Sequence, residues 1–348
     1  MSKITLGYFP GCSGLGTSAE YEKSTRAVCR ELGIDLREIP DWNCCGSTPA
    51  HTVDPVLSSA FSARVFAQGE QVGITDVITP CPSCLSNLRN ALRHMDDELF
   101  AARVDALTER PLKQEHSIKS VLQVIVEDIG LDSVKARVRK PLTGLKAVAY
   151  YGCLMNRPEK VMRFDDPENP VAMDQVLEVL GAEVLPFPLK VDCCGGSMSI
   201  PARRSTPHLA GKILDLAGEM GADVVVVACP LCQMNLDLRQ GQSRAAGLKY
   251  TLPVPYFTQL MAYAFGLSDA DTAFKLLAED IAPAFTCMSR RSDEIKAEEA
   301  RKAVLAEEKA RAAAEKAAKT QAGTETAAEK QPGGKSRANS ASAAGGAA

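Results

Sequence analysis

The sequence predicts an α/β protein in which one unit is used twice. Each unit is a small, mainly parallel sheet with flanking helices, and the two copies are related by a pseudo-twofold. Two observations lead there. Short apolar, β-branched runs alternate with stretches of helical periodicity, the pattern of a sheet joined by crossover helices. Three cysteine landmarks then recur in the same order along the chain, as a tandem duplication produces.

The strands come first. Residues 4–9 and 146–151 are matching apolar runs, ending in Tyr8-Phe9-Pro10-Gly11-Cys12 and in Tyr150-Tyr151-Gly152-Cys153. Residues 76–79 and 223–228 are a second pair, each running into a Cys-Pro-x-Cys segment. Helical periodicity covers 19–32 and 171–180, and 121–130 and 257–266 read as amphipathic helices stopped by glycine. Pro82 and Pro230 suit the first helical turn, where a missing N–H costs little. These landmarks divide the chain into a first domain at 1–143, a second at 144–290 and a tail at 291–348. Residues 292–348 hold no aromatic residue and only Ile295, Val304 and Leu305 as large aliphatics. Ser292 is placed to cap an exposed helix running to about Lys319, carrying the i,i+4 pairs Glu298–Lys302, Glu307–Arg311 and Glu315–Lys319. Gly, Ser and Ala dominate beyond it, and disorder is expected there.

Composition narrows the class. The 348 residues carry a formal net charge of −3, not the basic excess of a nucleic-acid binder. No apolar run approaches a membrane span, and the N-terminus lacks a secretory h-region. A soluble cytoplasmic protein is expected, so its twelve cysteines read as metal or redox sites rather than as structural bridges.

Ten of those cysteines form two sets of five. Cys12 is followed after 31 residues by Cys44-Cys45 and after a further 35 by Cys81-x-x-Cys84. Cys153 is followed after 39 residues by Cys193-Cys194 and after a further 34 by Cys229-x-x-Cys232. Thiolates are soft ligands that suit iron–sulfur clusters, zinc or copper(I). Structural zinc and ordinary [4Fe–4S] clusters each take four ligands. The fifth cysteine of each set is therefore either a redox thiol or a ligand to a larger, opened cluster, since adjacent side chains diverge too far to chelate one small ion. Gly46 and Gly195 are expected to let the backbone approach the cluster. A pair of zinc sites, or buried inert thiols, are the competing readings.

The segments Tyr8-Phe9-Pro10-Gly11-Cys12-Ser13, Asp41-Trp42-Asn43-Cys44-Cys45-Gly46 and Cys229-Pro230-Leu231-Cys232-Gln233-Met234-Asn235-Leu236-Asp237 resemble the CCG domain. The chain from Ile4 to about Gly266 resembles the B subunit of heterodisulfide reductase, with both domain copies intact. That resemblance implies two noncubane [4Fe–4S] clusters. Cys12, Cys44, Cys45, Cys81 and Cys84 would hold one; Cys153, Cys193, Cys194, Cys229 and Cys232 would hold the other. It also implies oxidoreductase activity on a disulfide or sulfur carrier, with Cys45 and Cys194 as catalytic cysteines. The implied partners are the other two proteins of such a complex, one ferredoxin-like (its C subunit) and one flavin-bearing (its A subunit). This chain itself has neither a ferredoxin cysteine run nor a Gly-x-Gly-x-x-Gly fingerprint. Two alternatives share the cysteine pattern: the CCG subunit of a quinone-linked succinate dehydrogenase, and a non-catalytic zinc or iron–sulfur scaffold.

The remaining candidates have plainer readings. Cys29 sits on a helical stretch and reads as a buried core thiol, and Cys287 is assigned no role. His51, six residues after the first Cys-Cys pair, has Ile200 at the matching place, so it is a proton-donor candidate rather than a repeated ligand. His94 and His116 read as surface. Arg203 and Arg204 read as a solvated pair, with an anion contact as the functional alternative. Trp42 is expected to shield the cluster beside Cys44 from water.

Overall fold

A computed structural model describes residues 4–47 and 49–328. The chain divides after Ser292 into two units. The larger contains two sheets. Strands β1 (Ile4–Tyr8), β2 (Ile34–Glu38), β3 (Asp76–Thr79) and β4 (Ser117–Ser120) form the first, in the order β2-β1-β3-β4, all parallel. Strands β5 (Lys146–Tyr150), β6 (Glu183–Val184) and β7 (Val224–Val227) form the second, in the order β6-β5-β7, again parallel. The strand that opens each repeat is thus flanked on both sides. β7 is four buried valines, as expected of a parallel strand covered on both faces.

The second sheet reproduces the first except at its fourth strand, which is reduced to a parallel bridge between Val227 and Tyr256. The N–H groups of Val225 and Val227 donate to Pro253 and Pro255 carbonyls at 3.2 and 3.1 Å. Neither proline has an N–H to return, so at those two positions the segment can only accept. On its far side this segment meets a side chain. The Gln240 amide donates to the Leu252 carbonyl at 2.6 Å and accepts from its N–H at 3.3 Å.

The helices fall where the periodicity places them, with small shifts at the ends. Ala19–Glu31 follows β1, and Pro55–Gln71 follows β2 with Asp54 as its cap. Ala172–Val179 and Thr206–Glu219 belong to the second repeat. The helix expected over 121–130 is a short α-turn, Val121–Gln123, continued by the π-turn Val124–Ile129 and stopped by Gly130 at φ 81°. Its counterpart Phe257–Ala264 is regular. One hydrophobic core runs through both repeats. Between them Tyr21 stacks on Tyr256 with centroids 4.0 Å apart, and the Ser24 and Thr258 hydroxyls lie 2.7 Å apart.

The last helix departs from expectation. It spans Ala282–Ala328, so Ser292 lies inside it instead of capping it. The helix begins earlier because its first turns belong to the core. Asp280 accepts from the Ala282 N–H at 3.0 Å, Ala284 and Met288 are buried, and Arg291 donates to the Gly144 carbonyl at 2.6 Å and pairs with Asp223. Residues 293–314 are exposed all round, and the Glu298–Lys302 pair is formed at 2.6 Å. The helix also continues past Lys319. The disorder expected beyond Lys319 is corrected over residues 320–328, which are helical; residues 329–348 lie outside the described residues, as do the side chains of Glu315 and Lys319. Among the described residues no helix is long and apolar enough to cross a membrane.

Candidate functional site

All ten repeated cysteines sit at the carboxyl ends of parallel strands, where such sheets bind ligands. Cys12 lies in the short helix Gly11–Gly14 after β1, Cys44 and Cys45 in the loop after β2, and Cys81 at the N-cap of helix Pro82–His94 after β3. In the second repeat Cys153 follows β5, Cys193 and Cys194 occupy the loop that comes after β6, and Cys229 caps helix Pro230–Gln233 after β7. Pro82 and Pro230 take the first helical position in both. Each Cys-Pro-x-Cys pair therefore stands at a helix N-terminus, whose free N–H groups and positive potential favour thiolates.

Matched hydrogen bonds shape the two Cys-Cys loops. The N–H of Gly46 points at Cys44 Sγ at 3.5 Å, and that of Gly195 at Cys193 Sγ at 3.3 Å. Asn87 donates to the Cys45 carbonyl and Asn235 to the Cys194 carbonyl, the latter at 2.7 Å. Ser58 Oγ reaches the Gly46 carbonyl at 3.2 Å, and Thr206 Oγ1 the Gly195 carbonyl at 3.4 Å. The asparagine after each Cys-Pro-x-Cys pair thus ties the helix carrying that pair to the loop carrying the other. This leaves Cys45 Sγ 3.3 Å from Cys84 Sγ and Cys194 Sγ 3.5 Å from Cys232 Sγ, with all twelve cysteines free of disulfides.

The donor set is electrostatically prepared for a cationic centre. Hydrogen bonds from Cys44 and Cys84 pull the Cys45 thiol down to about 4. Cys84 lowers Cys81 in the same way, and Cys232 lowers Cys194. Cys84 and Cys232 are pushed up in return, by Cys45 and Cys194 respectively, so the buried proton stays on them. Burial raises Cys12 and lifts Cys153 to about 12. Stacking so many thiols in one place is unfavourable for charged forms unless a metal takes the protons' place.

Two glycines make room for sulfur. Gly11 and Gly152 hold φ of 69° and 71°, and a Cβ there would lie 3.1 Å from Cys84 Sγ and 2.8 Å from Cys232 Sγ. The expectation that Gly46 and Gly195 supply this approach is corrected. A Cβ on Gly46 would meet the Ser58 carbonyl at 2.8 Å, and one on Gly195 the Leu209 side chain at 3.0 Å. Those two glycines let the loop pack on a helix. The thiol-facing pair is legible only as the Gly-Cys step common to both openings.

A cavity of about 210 Å³ is lined by all five cysteines of the second set, together with Tyr151, Leu154 and Leu231. Its opposite wall comes from the first repeat: Ser47, His51, Pro82 and Ser83. Ligands, helix ends and a space sized for a small inorganic group thus coincide, and the residues present fit an iron–sulfur cluster. Among the described residues no three His, Cys, Asp or Glu side chains meet around a single-ion position.

The other candidates separate cleanly. His51 lies on helix Pro49–Val53 and lines the cavity that the second cysteine set lines. Trp42 packs edge-on against Phe9, centroids 5.5 Å apart, beside the core that holds Cys45, Cys81 and Cys84. Cys29 is fully buried in the core, which lifts it to about 12. His94 is exposed. His116 is not a surface residue: its side chain is buried, with Nε2 3.0 Å from Glu70 and the ring against Phe66. Arg203 and Arg204 are not fully buried and lie outside the cavity lining.

Comparison with known proteins gives the same pattern. The cysteine-rich domain family matches residues 6–89 and 147–237. The 8-methylmenaquinol:fumarate reductase membrane anchor subunit of Wolinella succinogenes is 35% identical, over 75% of this chain and 92% of that protein. A protein of Archaeoglobus profundus, described as like the B subunit of heterodisulfide reductase, is 29% identical, over 78% and 93%. The B subunit of the ferredoxin:CoB-CoM heterodisulfide reductase of Methanosarcina mazei is 29% identical, over 77% and 91%. Among solved structures, a hypothetical protein from Helicobacter pylori shares the fold with a TM-score of 0.63 at 11% identity. That match covers 80% of this chain and 53% of the other. With the cysteine motif repeated at matching strand ends and a family match to both copies, the chain belongs to the cysteine-rich CCG domain family, in the two-copy form shared with heterodisulfide reductase B subunits.

Proposed function

We propose that the chain is the iron–sulfur subunit of a redox complex of the heterodisulfide reductase type. Cys12, Cys44, Cys45, Cys81 and Cys84 would hold one [4Fe–4S] cluster, and Cys153, Cys193, Cys194, Cys229 and Cys232 the other, both noncubane. The observation that carries this reading is the cavity walled by five cysteines of one repeat and by hydroxyl-bearing residues of the other. Clusters bound there would supply one-electron redox chemistry. Reducing a disulfide takes two electrons and two protons: the S–S bond breaks and two S–H bonds form. The chain's own residues confine that chemistry. Phe9, Trp42 and Tyr151 exclude water, and the Gly46 and Gly195 N–H groups steady the outer thiols. Electrons would come from a ferredoxin-like partner and a flavin-bearing partner, in the cytoplasm.

A second reading is favoured by one specific observation, the 35% identity to a subunit of 8-methylmenaquinol:fumarate reductase. In it the same two clusters serve a quinol-linked complex acting on a dicarboxylate.

Iron and acid-labile sulfide in anaerobically purified protein, followed by EPR, test the shared part. About eight irons per chain and an oxidised-state signal are expected. A signal that responds to added thiol supports the disulfide reading, and one that responds to quinol supports the second. Stoichiometric zinc without sulfide overturns both in favour of a scaffold.

A further inference from the structure

The cavity between the repeats is chemically lopsided in a way the duplication does not require. Equivalent positions of the two repeats face it. Ser47 and Gly196 each stand two residues past a Cys-Cys pair, and Ser83 and Leu231 each stand between the cysteines of a Cys-Pro-x-Cys pair. At these matched positions the first repeat offers two hydroxyls and the second none, although Ser197 of the second repeat also lines the cavity. Ser47 Oγ and Ser83 Oγ lie 2.6 Å apart. Two hydroxyls own two hydrogens, and one of them is consumed between the two oxygens. The other is not used in that bond and can be given to a further acceptor. No Lys, Arg, Asp or Glu lines the cavity, so no such side chain stands there to pair with a charged group of the substrate.

We propose that the Ser47–Ser83 hydroxyl pair is the hydrogen-bond donor that orients the substrate at the first-repeat wall of this cavity, facing the cluster that the five cysteines would hold, and that it binds an uncharged acceptor atom that gains negative charge on reduction. A disulfide sulfur and a quinone oxygen share that chemistry. The acceptor end faces the first repeat, with His51 at the same wall, and the apolar end faces Leu154 and Leu231. The inference rests on the redox reading above and adds an orientation to it. The two cysteine sets then have different tasks, since only one wall can hold the acceptor.

The geometry makes a non-additive expectation. Removing either serine leaves one hydroxyl free to donate, whereas removing both leaves none. The test uses cluster-loaded, anaerobically purified full-length protein and follows its oxidised-state EPR signal while 2-hydroxyethyl disulfide or menadione is added. Ser47→Ala and Ser83→Ala are each expected within about threefold of wild type in half-saturating concentration, and the double variant about tenfold weaker, with iron and sulfide unchanged. Ser47→Gly/Ser83→Leu, which copies the side chains of the second repeat, carries the same expectation should the alanine pair lose iron. The ligand that moves the wild-type signal identifies sulfur or oxygen as the acceptor. Equal half-saturation in wild type and double variant overturns this inference alone. A wild-type signal unmoved by either ligand overturns the redox reading on which it rests.

Discussion

Cys45 and Cys194 are the residues on which the two repeats agree most closely: each has a lowered thiol, a neighbour on Cys84 or Cys232, and a carbonyl tied down by asparagine. Cys45→Ala and Cys194→Ala are each expected to cut turnover by about 100-fold or more, at least the cost of disturbing a supporting contact; turnover per iron is the measurement. Asn235 is fully buried, and its amide holds the Cys194 carbonyl. Asn235→Ala strands that carbonyl and should cost about 1–3 kcal/mol, seen as a lower Tm and faster iron loss to a chelator. The ten cysteines are legible in the sequence because duplication prints their spacing twice. Asn87 and Asn235 are visible as landmarks, but their task is not, because it joins segments some forty residues apart. The burial of His116 is hidden for a similar reason: nothing near it in sequence announces Glu70 or Phe66.

Among the elements, helix Ala19–Glu31 carries a test of its own. Glu20 is buried where this helix meets the second repeat, and burial raises its carboxyl from 4.5 to about 7, with Asp237 nearby adding to the rise. Below about 4.5 the group is neutral in both folded and unfolded chains. Above that the unfolded chain ionises, while the folded one holds its proton until about 7. Stability contributed here therefore falls as pH rises through that window and is level beyond it. Glu20→Gln should flatten this fall, so that its Tm gain over wild type is larger at pH 8 than at pH 5.5 in thermal melts. Strand and helix positions are legible because β-branched runs and 3.6-residue periodicity are local signals. The start of the final helix is not, because Ala284 and Met288 bury themselves against residues far away in sequence. The polar composition after Ser292 marks where the core ends, not where the helix begins.

At the scale of the molecule, the core ends with the turns that carry Met288 and Arg291. Truncation after Ser292 is expected to leave Tm and iron content unchanged; a loss of either assigns the tail a part in holding the core. The two-copy plan and the cysteine-rich family are both legible, since the family's motifs are contiguous in sequence. The uneven wall of the cavity is not, because only folding sets Ser47 and Ser83 opposite Cys193 and Cys229. The Gln240 amide has a consequence for colloidal behaviour. A parallel sheet that stops at an open edge is a template on which another chain can add a strand. Here the outward groups of Leu252 are already occupied by that amide, and the Val254 N–H by the Asp237 carboxylate. A side chain thus imitates the next strand, and the second sheet cannot grow into an aggregate from that side.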